Sequence, residues 1–463
     1  MYTPDNKEYV PVPDPNLAAC KTSVSTQSLD QRIQNFSEVS LGYTPEEAIQ
    51  EAARCLNCPR SYCVDFCPAR VPIPQFIQAV RAGAFEEAYQ LIRVKNNMPG
   101  ATGRICAQEC QCESHCTRGI KGESVAIGRL ETFVADWHRT HRKDAFKAPA
   151  SLSPTSKRVA VVGSGPAGLT CAEVLASAGV KVTVFEARNV LGGAAAMGIP
   201  TFVLPEFVLE DKLSELQQLG VVFRLRSPIC SVDSLLQKGY DAVFLAIGAV
   251  CPVQGGIPGE DLAGVWSASK FLFSFHNGNS FSAVEDAYVI GGGNTAVDAA
   301  RCALRAGAKH VTILYRRSQL EMPAREEEVQ RALEEGIQLK FLCQPIEFLG
   351  KGAKLSAIRC VHTELTAPDY PLGRNNIQLL PGSEEVLTGQ LAILALGYQV
   401  DRTISVPRAS NGCILVADSD GVSTPIPSVF AAGDAVAGPS TFVNAITGGR
   451  TAAQAILSQF SSR

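Results

Sequence analysis

Between Cys55 and Cys116 the chain carries eight of its sixteen cysteines, in two runs of four. The first run is Cys55-x2-Cys58-x4-Cys63-x3-Cys67-Pro68, and the second is Cys106-x3-Cys110-x1-Cys112-x3-Cys116. Thiolates at such short spacings can converge on one soft metal centre. A proline directly after the last cysteine of a run is familiar from iron–sulfur ligation. Zinc would accept the same ligands and disulfides are the plainest alternative. The machinery downstream decides for iron–sulfur clusters, because it is built for redox cofactors.

That machinery is a dinucleotide-binding pattern that occurs twice. Arg158–Val162 reads as a buried strand, followed by Gly163, Ser164, Gly165, Pro166, Ala167 and Gly168, then a helix Leu169–Ser177 and a strand Lys181–Phe185 ending at Glu186. Glycines at these positions let the backbone approach a pyrophosphate, and an acid about 20 residues on accepts from a ribose hydroxyl. The second copy is a strand Asp286–Ile290, a loop with Gly291, Gly293, Asn294 and Thr295, a helix through Arg305, and a strand His310–Tyr315. This strand ends in Arg316 and Arg317 rather than an acid. An acid repels a 2′-phosphate, whereas guanidinium groups pair with it bidentately. The first copy therefore reads as FAD-binding and the second as NADP-binding.

The remaining elements hold these groups in place. Thr44, Pro45 and Glu47 read as N-cap, N1 and N3 of a helix leading into the first cysteine run. Two short helices broken near Gly83 and a helix from Ile127 to His141 complete an α-helical region over residues 1–146, behind a draped arm at 1–40. Lys147–Ser156 reads as a linker. Beyond it we expect an FAD-binding domain over 157–284 and 389–463, interrupted by an NADP-binding domain over 285–388. Leu245–Ala249 and Leu394–Tyr398 read as short apolar strands ending in glycine. Val429–Asp434 reads as a strand returning the chain to the first unit, with Gly433 and Asp434 at the flavin and Thr441 opening a C-terminal helix. Gly193 joins the candidate flavin contacts.

Composition narrows the rest. A net charge of −3 gives no reason to expect nucleic acid or an anionic membrane as partner. No apolar run reaches membrane-spanning length and the start carries no secretory pattern, so a cytoplasmic protein is expected. Outside the cluster region no two cysteines after Cys116 lie closer than 17 residues, which argues against a disulfide reductase with a redox-active Cys pair at the flavin. No acid–base or nucleophilic residue is nominated, because the chemistry belongs to the cofactors.

Several motifs resemble the small (β) subunit of NADPH glutamate synthase and its relatives, among them the large subunit of NADH-dependent ferredoxin:NADP oxidoreductase and sulfide dehydrogenase. They are Gly42-Tyr43-Thr44, Ala53–Cys58, Gly103–Cys106, Val125–Glu131, Gly198–Pro200, Tyr315–Ser318 and Glu321–Arg325. The resemblance spans nearly the whole chain. It implies an oxidoreductase moving electrons between NADPH, FAD, two 4Fe–4S clusters and a partner subunit. That partner would be a glutamate synthase large subunit or, alternatively, a ferredoxin-reductase-like small subunit. It also implies an interleaved ligand pattern, with Cys55, Cys58, Cys63 and Cys116 on one cluster and Cys67, Cys106 and Cys112 on the other. Glu131 stands where relatives place an oxygen ligand, and Cys110 is left over, although Cys110 as the eighth ligand stays open. Val203, Glu206 and Met197 stand where relatives carry Arg, Lys and Tyr.

Overall fold

The thiol-rich region folds as helices because its sequence caps and spaces them that way. The computed structural model describes residues 15–142, 155–278, 284–368, 375–417 and 419–462. Most of the expected linker lies outside these. Helix Pro45–Ala52 starts with the full capping box, Thr44 accepting from the Glu47 amide and Glu47 from the Thr44 amide. Ile73–Arg81 and Phe85–Arg93 are separated at Gly83, whose φ of 72° suits only glycine comfortably. Helices Pro99–Ile105 and Ile127–His141 complete the layer. Phe76, Ile77, Ile92 and Leu130 are sealed between them, each contributing about 1.5–3 kcal/mol of burial. Among the described residues of this region the only β pairing is a single bridge between Thr26 and Ser40.

Two five-stranded parallel sheets follow, each built around a run of three consecutive strands. In the first, Val429–Ala431, Ala242–Leu245, Arg158–Val162, Lys181–Phe185 and Val222–Arg224 lie side by side. In the second the corresponding strands are Val265–Ser267, Leu391–Leu394, Asp286–Ile290, His310–Tyr315 and Gln338–Phe341. Sheets covered on both faces need strands apolar throughout, which is why Ala242–Leu245 and Leu391–Leu394 are buried at every position.

Pairing redraws one expected division. Val265–Ser267 and Leu391–Leu394 both belong to the second sheet, outside the 285–388 expected for that unit. Apolar runs announce a strand without saying which sheet it joins; register does. A β-meander of Cys343–Lys351, Lys354–Thr366 and Asn376–Leu379, with Glu385–Thr388 pairing back onto Lys354–Thr366, was unforeseen in the sequence and forms a separate antiparallel sheet.

The helical layer is fastened to both units by buried polar contacts. Glu173, on the helix of the first unit, accepts from Arg93 and Asn97 of the helical layer at 2.7 and 2.5 Å and from Lys212 at 3.0 Å. Arg32 of the N-terminal arm pairs with Glu334 at 2.7 Å, and Val39 N–H donates to the Phe202 carbonyl at 3.1 Å.

Candidate functional site

Arg54 builds the wall beside the first cysteine. Its guanidinium is fully buried, paired with Glu51 at 2.7 Å, and donates to the carbonyls of Ala18, Ala19, Glu123 and Ser124. One arginine thus pins two distant loops against the chain entering Cys55. Cys55, Cys58, Cys63 and Cys116 line one small, partly open pocket, together with Tyr62, Pro74, His115 and Val125. Burial pushes the Cys55 thiol up to about 11 and the Cys63 thiol up to about 12, with Cys116 and Cys58 adding repulsion in both cases. Four thiols sharing one field fit a centre that supplies positive charge, since a coordinating thiol is deprotonated outright.

Cys67, Cys106, Cys112 and Glu131 form a second group. Burial raises all three thiols, and for each of them Glu131 is among the repelling charges. Glu131 itself is raised to about 7 by burial, opposed by hydrogen bonds from Thr102 and Asn96. Thr102 Oγ1 donates to Glu131 Oε1, and Asn96 Nδ2 donates to the same oxygen at 2.7 Å. Helix Ile127–His141 carries Glu131 inward, and the helix Pro99–Ile105 brings Thr102 to it. Cys110 is exposed; burial and Glu109 raise it, and no other cysteine contributes. All cysteines are free thiols. Among the described residues no three His, Cys, Asp or Glu side chains converge tightly enough for one metal ion.

The two glycine loops repeat one geometry. Gly163 has φ 105°, and a Cβ there would lie 2.3 Å from the Ala246 carbonyl; Gly291 has φ 144°, and a Cβ would lie 2.4 Å from that of Ala395. Gly165 and Gly293 face open space instead, each as the N-cap of the following helix. Such an amide-lined helix start with room in front of it can take a pyrophosphate. Gly168 abuts the Gly163 carbonyl and Gly193 abuts Gly165, so no side chain fits at either. Pro166 sits at N1 of the helix Pro166–Ser177 and Ala167 touches Gly433 and Gly449, docking the C-terminal helix on the loop.

Glu186 accepts from the Ser164 amide at 3.1 Å, the Ser164 hydroxyl at 2.5 Å and the Arg188 amide at 2.9 Å. Asp434 accepts from the Ser440 amide and hydroxyl, and burial raises its carboxyl. Thr441 caps the helix Phe442–Ser461 by accepting from Asn444. In the second unit Thr295 bonds the Tyr398 hydroxyl, and Asn294 Oδ1 accepts from the Arg325 amide at 2.8 Å. Arg316 is exposed at the strand end, and Arg317 is half-buried with its Nε on the Asn375 carbonyl at 3.0 Å. The groups meet where Thr447 Oγ1 donates to the Pro68 carbonyl at 3.4 Å, next to Cys67.

The sequence reading missed Asn96, Thr102 and Gln108: Thr102 lies within the helix Pro99–Ile105, Asn96 in the turn before it and Gln108 in the short turn after Cys106, and nothing in their spacing marks them.

Two protein families match successive parts of the chain. The family described as dihydropyrimidine dehydrogenase domain II, 4Fe-4S cluster, matches residues 32–143. The pyridine nucleotide-disulphide oxidoreductase family matches residues 157–449. The small chain of NADPH glutamate synthase from Escherichia coli strain K12 is 35% identical over 447 residues, covering 91% of this chain and 93% of that one. The beta subunit of an NADP(+)-dependent formate dehydrogenase from Moorella thermoacetica is 37% identical over 423 residues, covering 85% and 59%. Among solved structures, FprA from Mycobacterium tuberculosis in complex with NADPH superposes with a TM-score of 0.57 at 20% identity, over 67% of this chain and 85% of that one. That likeness concerns the fold alone.

Proposed function

Because the chain belongs to the pyridine nucleotide-disulphide oxidoreductase family, in the branch of the NADPH glutamate synthase small chain, we propose that it serves as such a small subunit. It is an NADPH-dependent oxidoreductase that works with FAD and 4Fe–4S clusters. In this reading NADPH supplies a hydride, FAD takes the electron pair and releases electrons singly, and the clusters carry them outward.

The chain's own residues set the order. Gly163–Gly168, Glu186, Gly193, Gly433, Asp434 and Thr441 hold FAD, and Gly291, Gly293, Asn294, Thr295, Arg316 and Arg317 hold NADPH. Cys67, Cys106, Cys112 and Glu131 hold the inner cluster; Cys55, Cys58, Cys63 and Cys116 hold the outer one. Cys55, Cys58, Cys63 and Cys116 line one pocket, and four thiolates are what a 4Fe–4S cluster takes. The observation that carries the relay is the contact of Thr447 with Pro68, which joins the flavin unit to the inner set. In the inner set Cys106 and Cys112 are buried and Cys67 is half-buried; in the outer set Cys55 is buried and Cys58, Cys63 and Cys116 are half-buried.

The partner is a large subunit that makes glutamate from glutamine, and the compartment is the cytoplasm. Among the described residues no helix is long and apolar enough to cross a membrane. Adding NADPH anaerobically should bleach the flavin and then reduce the clusters. Mixing with a glutamate synthase large subunit should yield NADPH-dependent glutamate formation. Electron delivery to ferredoxin with no glutamate formed would overturn the assignment. The segments Gly198–Pro205 and Glu321–Arg325 favour that second reading, a subunit of a bifurcating ferredoxin:NADP oxidoreductase, while Val203 and Glu206 replace basic residues that relatives carry. In the structure Val203 packs on the core of the second unit and Glu206 opens the helix Glu206–Gln218.

A further inference from the structure

The segment Met322–Arg325 leaves the second nucleotide unit and ends inside the helical layer. Its backbone belongs to the glycine loop: Ala324 N–H donates to the Gly292 carbonyl at 3.1 Å, and Arg325 N–H to Asn294 Oδ1 at 2.8 Å. Its last side chain belongs to the cysteines. Arg325 is 8% exposed, with Nη1 donating to the Arg104 carbonyl and Nη2 to Gln108 Oε1 at 3.2 Å. Those two acceptors flank Cys106. Gln108 is fixed in turn, its amide donating to the Gly103 carbonyl at 3.0 Å.

The charge of this guanidinium is only loosely offset. Its nearest carboxylates stand at 3.6 Å, from Glu327 to Nη2, and 4.0 Å, from Glu109 to Nε, and Nε is buried with no hydrogen-bond partner. Arg325 is also the one cation among the principal charges acting on Cys106, where Glu131, Cys67 and Glu109 all push the other way. A fixed positive charge in a low-dielectric site favours whichever neighbour gains an electron.

We propose that Arg325 is a positioning residue for the reaction: it raises the midpoint potential of the cluster held at Cys67, Cys106, Cys112 and Glu131, and ties that cluster's cage to the NADP glycine loop. This rests on the ligand assignment above. The arriving electron is balanced by no proton at Arg325, which stays charged throughout. Because the bond to Asn294 is made by the Arg325 backbone, changing the side chain leaves nucleotide binding intact.

The test is a redox titration of the full-length, cluster-loaded protein followed by electron paramagnetic resonance, with iron content measured on every sample. Wild-type protein with fewer than two clusters refutes the ligand assignment before any variant is compared. R325Q should move the midpoint of one cluster, the one absent from C67S, to a more negative value and leave the other unmoved. The NADPH KM should stay within about twofold of wild type, the small change expected away from the nucleotide. R325K, which keeps the charge, should recover most of the shift. Unmoved potentials in R325Q, or equal shifts in R325Q and R325K, overturn the proposal. Should R325Q lose iron, E327Q replaces it: freeing Arg325 from its nearest carboxylate should move the same midpoint to a more positive value, and an unmoved midpoint overturns the proposal.

Discussion

The carbonyl oxygen of Ala246 stands 2.3 Å from where a Cβ on Gly163 would lie, and Ala395 stands over Gly291 at 2.4 Å in the same way. In each unit the strand neighbouring the first one closes over the first glycine, while the second glycine stays open. The two positions should therefore fail differently. G163A strains the fold, at about 1–3 kcal/mol, and should lower Tm as well as flavin content. G293A meets nothing until a nucleotide arrives. It should keep Tm and FAD absorbance while raising the NADPH KM roughly tenfold or more, the loss of about one good phosphate hydrogen bond. Equal Tm losses in both variants would refute the distinction.

Arg316 and Arg317 lie at the end of His310–Tyr315, beside the open glycine loop. Charge-assisted bonds to a 2′-phosphate contribute about 1.5–3 kcal/mol each. Replacing both with neutral residues should raise the NADPH KM by roughly 100-fold or more on that scale and leave the NADH KM nearly unchanged. Steady-state kinetics with both coenzymes decides it, and parallel increases would refute a 2′-phosphate role.

Much of this geometry was legible because parallel strands covered on both faces are continuous apolar runs. Arg158–Val162, Lys181–Phe185, Asp286–Ile290 and His310–Tyr315 fall where their sequences place them. So does Ile127–His141, whose apolar positions repeat on one face. The strand expected at Leu394–Tyr398 lies instead at Leu391–Leu394, and its sheet membership was hidden, since its four apolar residues suit either sheet. The meander of Cys343–Thr388 was hidden as well: its bulges after Pro345 and Leu349 break the alternation that betrays an antiparallel strand. The grouping of Cys116 with Cys55 was not readable from spacing and came only with the resemblance. Arg325 could not have been matched to Gln108 at all, because 217 residues separate them and only tertiary packing joins them.

Glu173 predicts the pH response of the contact between the helical layer and the first unit. Burial would raise its carboxyl, but Lys212 and Arg93 outweigh that and hold it down at about 2. A depressed folded-state value stabilises the protein above the ordinary carboxylate range, and this contribution fades as pH falls from about 4.5 toward 2. E173Q leaves two buried cations short of a partner and should cost about 3–5 kcal/mol. Thermal denaturation from pH 7 down to about 2.5 should show wild type losing stability below about pH 4.5 and E173Q losing less. Identical slopes would contradict the assignment.

Iron content in paired cysteine substitutions tests the interleaving of Cys67 with the second run most directly. If Cys67 and Cys106 serve one cluster, C67S combined with C106S removes only that cluster and leaves about four irons per chain, whereas C63S combined with C67S removes both. Clusters built one per run would reverse the outcome: C63S with C67S would leave about four irons, and C67S with C106S would leave none.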